Sequence, residues 1–260
     1  MFNLLNANLY KARKMKTIWM LLALSIFCAT MLLIIAYGVG NGKMDTSVSS
    51  IGFLFSDMNM LTIIGAILAT SLIGTEFETK NIHHPIISGY SRFQIVMAKA
   101  FTYWMLLIIL ITPFLIASMI ALLSGETFSL GPNLAGFLSI VTSDIDAATP
   151  KVISVLIVMT VVYLAQLSFA IFLAFWLKKA IFVITLYYMF SALTGQIAMY
   201  PDTFTILNKL ISLTPFNGEF IVMNPSLTSG ELTTALIISI IFMGIMTALS
   251  WIYFRKAEVK

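Results

Sequence analysis

The sequence predicts an all-α polytopic membrane protein with six transmembrane helices, and three observations carry that prediction. Of the 260 residues, 60% are hydrophobic and only 10% charged, against roughly 25% charged in an average soluble domain. The apolar residues gather into six runs of about 17 to 25 residues, the length an α-helix needs to cross about 30 Å of hydrocarbon. The basic residues fall between those runs with a consistent sidedness. With 14 Gly and 7 Pro, neither low complexity nor a fibrous repeat explains the bias. The single cysteine, Cys28, excludes an intrachain disulfide and a cysteine-built metal site.

The elements run in order as one transmembrane domain over 1–260. In segment 1–16, Phe2, Leu5 and Leu9 share a face that leads into Lys11, Arg13, Lys14 and Lys16. That pattern predicts an interfacial helix lying on an anionic inner leaflet. The spans are expected at Ile18 to Tyr37, Met58 to Gly74, Ala100 to Leu123, Val152 to Leu177, Ala180 to Tyr200 and Leu232 to Phe254. The first has a longer apolar core than a cleavable signal and reads as an uncleaved anchor. The glycine-rich stretch Gly38 to Met44 lacks the Gly and the Ser or Thr that a phosphate-binding loop needs at positions 37 and 44, so it reads as a flexible turn.

Segment 75–92 has local chemistry of its own. Thr75 and Glu78 have capping-box spacing, predicting a helix that starts after Gly74 and runs from about Glu76 to His84, where Pro85 ends it. Ser88-Gly89 marks a turn, and Ser91 with Gln94 forms a second box that opens the third span. Thr149-Pro150 places a cap before a proline at the start of the fourth span, and Thr228 with Glu231 repeats the box before the sixth. Within 201–231, Thr205, Asn208, Lys209 and Ser212 share one side of a helical wheel while Phe204, Ile206, Leu207, Leu210, Ile211 and Leu213 fill the rest. Ended by Pro215, that amphipathic segment is too short to span and is expected to lie on the outer face or re-enter the membrane.

Orientation comes from lysine and arginine, because basic loops stay cytoplasmic. With the N-terminus inside, Lys11, Arg13, Lys14, Lys16, Lys80, Arg92, Lys99, Lys178, Lys179, Arg255, Lys256 and Lys260 are cytoplasmic, twelve of the fifteen. Eight of the eleven acidic residues lie on the opposite side. Both termini are therefore expected in the cytoplasm, in a multi-pass protein of a bacterial plasma membrane. Basic residues strung between apolar runs rather than gathered on one face give no reason to expect a nucleic-acid partner.

No Asp, Glu, Lys, Arg or His falls inside the six spans as drawn, with Asp57 placed at the outer interface. Transporters driven by ion gradients place such groups at membrane depth. Gln166 and Gln196 are the polar candidates along a translocation path, or else interhelical glue. His83 and His84 with Glu76 and Glu78 resemble metal ligands, but adjacent histidines on a helix diverge by about 100°, so no metal site is expected.

The run Glu76-Phe77-Glu78-Thr79-Lys80-Asn81-Ile82, followed by Gly89-Tyr90-Ser91-Arg92 and Lys99, resembles the cytoplasmic motif of permease subunits of type 2 ABC exporters. It departs from that pattern in carrying Glu78 where many members have Gly before Thr79. The resemblance implies a cytoplasmic coupling helix between the second and third spans, with Glu76, Phe77, Glu78, Thr79, Lys80, Ile82 and Arg92 as its coupling residues. It also implies a separate ABC ATPase dimer that holds the ATP and Mg, a second permease copy or paralogue, and no catalytic residue or cofactor on this chain. Among members of this size, exporters of bacitracin, lantibiotics and phenol-soluble modulins are the nearest in kind, so the expected cargo is an amphipathic peptide or other lipid-active molecule. A membrane enzyme using the His and Glu residues, or a passive channel or scaffold, is the alternative.

Overall fold

The computed structural model describes residues 2–129, 136–142, 149–199, 205–221, 223 and 225–256. Among them there is no strand, and six helices are long and apolar enough to cross a membrane. The chain is an all-α, multi-pass membrane protein. Of the positions singled out above, Tyr200, Phe204 and Lys260 lie outside the described residues.

The N-terminal helix α1 (Phe2–Lys14) turns at Met15 into the first span, α2 (Lys16–Gly40). A short turn and α3 (Ser49–Leu54) lead to α4 (Asp57–Ala69), which passes through a π-helical turn, Thr70–Gly74, into α5 (Thr75–Glu78) without a break in the helix. Next come α6 (His83–Ile87), α7 (Arg92–Ser124) and the short α8 (Phe137–Thr142). The fourth and fifth spans are α9 (Thr149–Leu177) and α10 (Ala180–Met199). Two short outer helices, α11 (Thr205–Ile211) and α12 (Gly218–Ile221), precede the last span, α13 (Ser229–Lys256).

Local chemistry sets the ends. The Ser91–Gln94 capping box is present in both directions, so α7 begins at Arg92, where the box predicts it, ahead of the apolar run that starts at Ala100. This brings Lys99 into the span helix, where it is buried. Gly125 closes α7 in the left-handed conformation (φ 66°), the backbone state that satisfies terminal carbonyls and that glycine reaches without a Cβ clash. Thr228 and Glu231 also form their box, with Thr228 N donating to Glu231 Oε2 at 2.7 Å. In α11 the side chains of Ile206, Leu207 and Leu210 are exposed.

Helix α9 is the hub. It packs against α4, α7, α10 and α13, while α2 lies on the far side of α7 and α4. Small residues, Ala165, Ala170 and Ala174, let neighbouring backbones approach it. The outer surfaces of α7, α10 and α13 carry exposed Ile108, Ile116, Phe182, Met189, Ile240 and Ile245, an apolar girdle that water would not tolerate and lipid does. Because hydrocarbon offers helices no hydrophobic drive to associate, hydrogen bonds across the bundle matter. Tyr103 on α7, fully buried, points its hydroxyl at the carbonyls of Gly65 (3.0 Å) and Leu167 (3.1 Å), bridging α4 and α9. Trp104 Nε1 donates to Ser168 Oγ at 2.9 Å, and Ser25 Oγ to the Leu110 carbonyl at 2.6 Å.

The termini and segment 75–92 meet at one end of the bundle, since Lys11 pairs with Glu76 and Arg92 reaches the last turn of α13. This is the end that the charge distribution assigns to the cytoplasm. Replacing Tyr103 by Phe removes one hydroxyl and almost no volume, and is expected to lower stability by about 1 kcal/mol. Reversible unfolding in mixed micelles checks it; an unchanged midpoint means that the hydroxyl contributes nothing to the bundle.

Candidate functional site

The backbone of segment 70–92 differs from the expected capped helix, and the reason is local. Gly74 stays helical (φ −58°, ψ −48°), so no new N-terminus exists for Thr75 to cap, and Thr75 Oγ1 instead donates back to the Ser71 carbonyl at 2.8 Å. The helix therefore runs on from the second span to Glu78 and breaks over 79–82. Lys80 adopts φ 58°, a left-handed state that costs a non-glycine residue about 1 kcal/mol, and Ile82 N bonds back to the Glu76 carbonyl at 3.3 Å. Pro85 does not end a helix here. It sits in the first turn of α6, where the N–H it lacks would have no helical partner. Glu78, where the resembling family often has Gly, is in right-handed helix and needs no glycine. Gly89 (φ 83°) makes the turn before the Ser91 cap.

The side chains expected to face a partner divide into two groups. Glu76 is buried, 5% exposed, and its Oε1 accepts from Lys99 Nζ at 2.6 Å and from Lys11 Nζ at 2.7 Å. Lys99 is as inaccessible as Glu76, whereas the Lys11 side chain is 48% exposed. One carboxylate thus ties α5 to the third span and to the N-terminal helix. Phe77 packs edge-on against Phe175 of α9 (6.0 Å) and Phe254 of α13 (5.9 Å), with the Lys178 ammonium 5.7 Å from its ring centre. Glu78 Oε1 accepts from Ala180 N at 3.0 Å and so caps α10. Arg92 Nη1 donates to the carbonyls of Phe254 (2.8 Å) and Arg255 (2.7 Å), capping the C-terminus of α13, and stacks 5.6 Å from the Phe254 ring. Ile82 is buried beneath the turn.

The outward-facing remainder is smaller. Thr79, Lys80, Asn81, His84 and Ile87 are exposed, and Ile87, at 81%, is the most prominent apolar side chain of the segment. Among the described residues no group of His, Cys, Asp and Glu could hold a metal ion, and His83 with His84 forms none.

At the other end of the bundle, Asp57 begins α4 and is enclosed by protein. It is buried, and its Oδ2 accepts from Phe137 N (2.8 Å) and Tyr163 Oη (2.8 Å), pinning α8 to α4 and α9. Gly136 (φ 120°) lies so close that any Cβ there would strike the Asp57 carboxylate. Gln166 is buried and donates from Nε2 to the Pro215 carbonyl at 2.8 Å, joining α9 to the outer segment, while Gln196 is exposed. Lys99 and Asp57, each one residue outside a span as drawn, thus lie buried within the helices that carry the third and second spans. Above, an open groove of about 510 Å³ runs between the outer segment and the start of α13, with Phe220, Met223 and Ala235 on its floor and Glu219 and Glu231 on its rim. A second, almost wholly apolar concavity of about 390 Å³ opens between α2 and α7 beside Pro113.

Sequence reasoning missed the pairing of Lys11 with Glu76 and the bonds of Glu78 and Arg92 to helix ends. The one available signal was Lys99, a lysine committed to the head of an apolar run. No family model matches the chain, and no curated protein matches it.

Glu76→Gln should lower stability by about 3 kcal/mol or more, because it strands a buried ammonium, and adding Lys99→Met should recover most of that loss. Lys11→Gln, at a half-exposed site, should cost under about 1 kcal/mol. Equal losses for the single and double variants, read by unfolding in mixed micelles, would contradict the pairing. Asp57→Ala should speed hydrogen exchange at Phe137 and through α8 while leaving α6 unchanged; an unchanged rate in α8 means that Asp57 does not hold it.

Proposed function

We propose that the chain is the transmembrane permease subunit of an ATP-driven exporter that moves an amphipathic peptide or other lipid-active molecule, powered by a separate ABC ATPase dimer that carries the ATP and Mg. Two copies of this chain, or this chain and a paralogue, make the transmembrane half. The observation that carries this reading is the wiring of segment 76–92. Its inward side chains bond to α1, α7, α10 and α13, while its tip presents Lys80, Asn81, His84 and Ile87 to the solvent side.

A force applied at such a tip is not absorbed by a loose loop. Glu78 passes it to the N-terminus of the fifth span and Arg92 to the C-terminus of the sixth, through charge-assisted bonds of 2.7 to 3.0 Å. The π-turn at Thr70–Gly74 supports the same reading, since such turns are departures from α-helical geometry that recur at functional positions. The outer groove, with its apolar floor and polar rim, suits an amphipathic cargo leaving the bilayer. Glu76 and Ile82 act in this scheme as internal fasteners and Lys80 and Ile87 as contacts.

Gentle extraction of the affinity-tagged chain from its own membrane should bring down a soluble protein with a phosphate-binding loop. A Lys80→Glu, Ile87→Asp variant should lose that partner by about tenfold or more with its unfolding midpoint unchanged, because both side chains are exposed. The reading fails if no such ATPase co-purifies, or if the double variant retains it in full.

A further inference from the structure

The N-terminal helix turns two chemically different faces. Leu4, Asn8 and Ala12, one turn apart, are buried on the side where α1 packs against α7. On the open side Arg13 and Lys14 end α1 and Lys16 begins α2, all three exposed and without a carboxylate partner among the described residues. Around them the charges do not balance. Lys11, Arg13, Lys14, Lys16 and Lys99 bring five cations to one carboxylate, Glu76, and that carboxylate spends a single oxygen on two of them.

The aromatic and apolar neighbours fix the depth. Trp19 is 58% exposed and its Nε1 donates to the Arg13 carbonyl at 3.0 Å, so the indole lies across the α1–α2 corner with its ring outward. Met20, the next residue along, is also exposed. Trp at such a corner belongs to the headgroup layer, with apolar neighbours among the upper acyl carbons.

We propose that Arg13, Lys14 and Lys16 form a docking site for the phosphate of anionic phospholipid headgroups, and that a lipid bound there seats α1 on the bundle with Lys11 against Glu76. The excess positive charge selects an anion, and the neighbouring Trp19 and Met20 select one that is attached to acyl chains. A free anion gains only the charge contribution. The site does not depend on what docks at the tip of segment 76–92.

The test uses the full chain in nanodiscs of phosphatidylcholine alone and in otherwise identical discs containing phosphatidylglycerol. Each basic side chain at an anionic surface contributes roughly fivefold in affinity, so three contribute on the order of a hundredfold. Amides of α1 should therefore exchange at least about tenfold more slowly in the phosphatidylglycerol discs. The Arg13→Gln, Lys14→Gln, Lys16→Gln variant should lose that difference while its α7 and α9 amides exchange as in the parent, which shows that it is folded. Inorganic phosphate added to phosphatidylcholine discs should leave α1 unchanged. Equal α1 exchange of the parent in the two discs, retention of the difference by the triple variant, or its reproduction by inorganic phosphate would each overturn the assignment.

Discussion

A lysine buried near the end of a membrane helix dictates much of this architecture. Lys99 is 2% exposed, in a position where an unpaired ammonium would cost several kcal/mol, so a carboxylate has to reach it. Glu76 does so at 2.6 Å, and to do it the second span must continue as helix beyond its apolar run and arrive with the correct side toward α7. The π-turn at Thr70–Gly74 lies directly before that point and adds a residue to the turn, which rotates the residues after it about the helix axis. Once Glu76 is committed inward, Phe77 and Glu78 fall by helical spacing toward α9, α13 and α10. The ion pair and the shape of the connecting segment are thus one constraint.

The rest of the bundle is held by polar contacts that are few and well aimed. Tyr103, Trp104, Ser25 and Gln166 each donate across a helix boundary, and three of the four donate to backbone carbonyls. A carbonyl already in a helix has a second lone pair to offer, so such a bond requires no matching polar side chain on the partner helix. Asp57 plays the corresponding part at the outer end, where it gathers one backbone N–H and one phenol from two further elements.

The features legible in the sequence were those that depend on composition and on neighbours along the chain. The six spans follow from hydropathy, and the boxes at Ser91 and Thr228 formed because each is preceded by a real interruption of helix. The same reasoning failed at Thr75, where the spacing is right but Gly74 keeps helical angles, and at Pro85, which fits a first turn as well as it blocks a later one. Glu76, Glu78 and Arg92 were legible as important and illegible as to role. Their partners, Lys11, Lys99, Ala180 and Phe254, come from other parts of the chain, and no local pattern encodes which of them each will meet. The burial of Asp57 was illegible for a related reason, because hydropathy cannot tell a carboxylate that faces water from one enclosed by α8.

The distribution of these partners bears on how the segment can act. Glu78 holds the beginning of α10 and Arg92 the end of α13, and these two spans have the least buried surfaces of the six. The hub α9 is fastened at this end by the aromatic contact of Phe77 with Phe175 and not by an ion pair. In the proposed exporter, a displacement of the tip at Lys80 and Ile87 would reach α10 and α13 through the bonds of Glu78 and Arg92, and α9 through the edge-on contact of Phe77. In that scheme the buried pair of Lys99 and Glu76 is the pivot, being the contact that costs most to break. Closing a loop would need only the turn at Gly89; the bonds from Glu78 and Arg92 to the ends of two other spans are what the proposed lever requires.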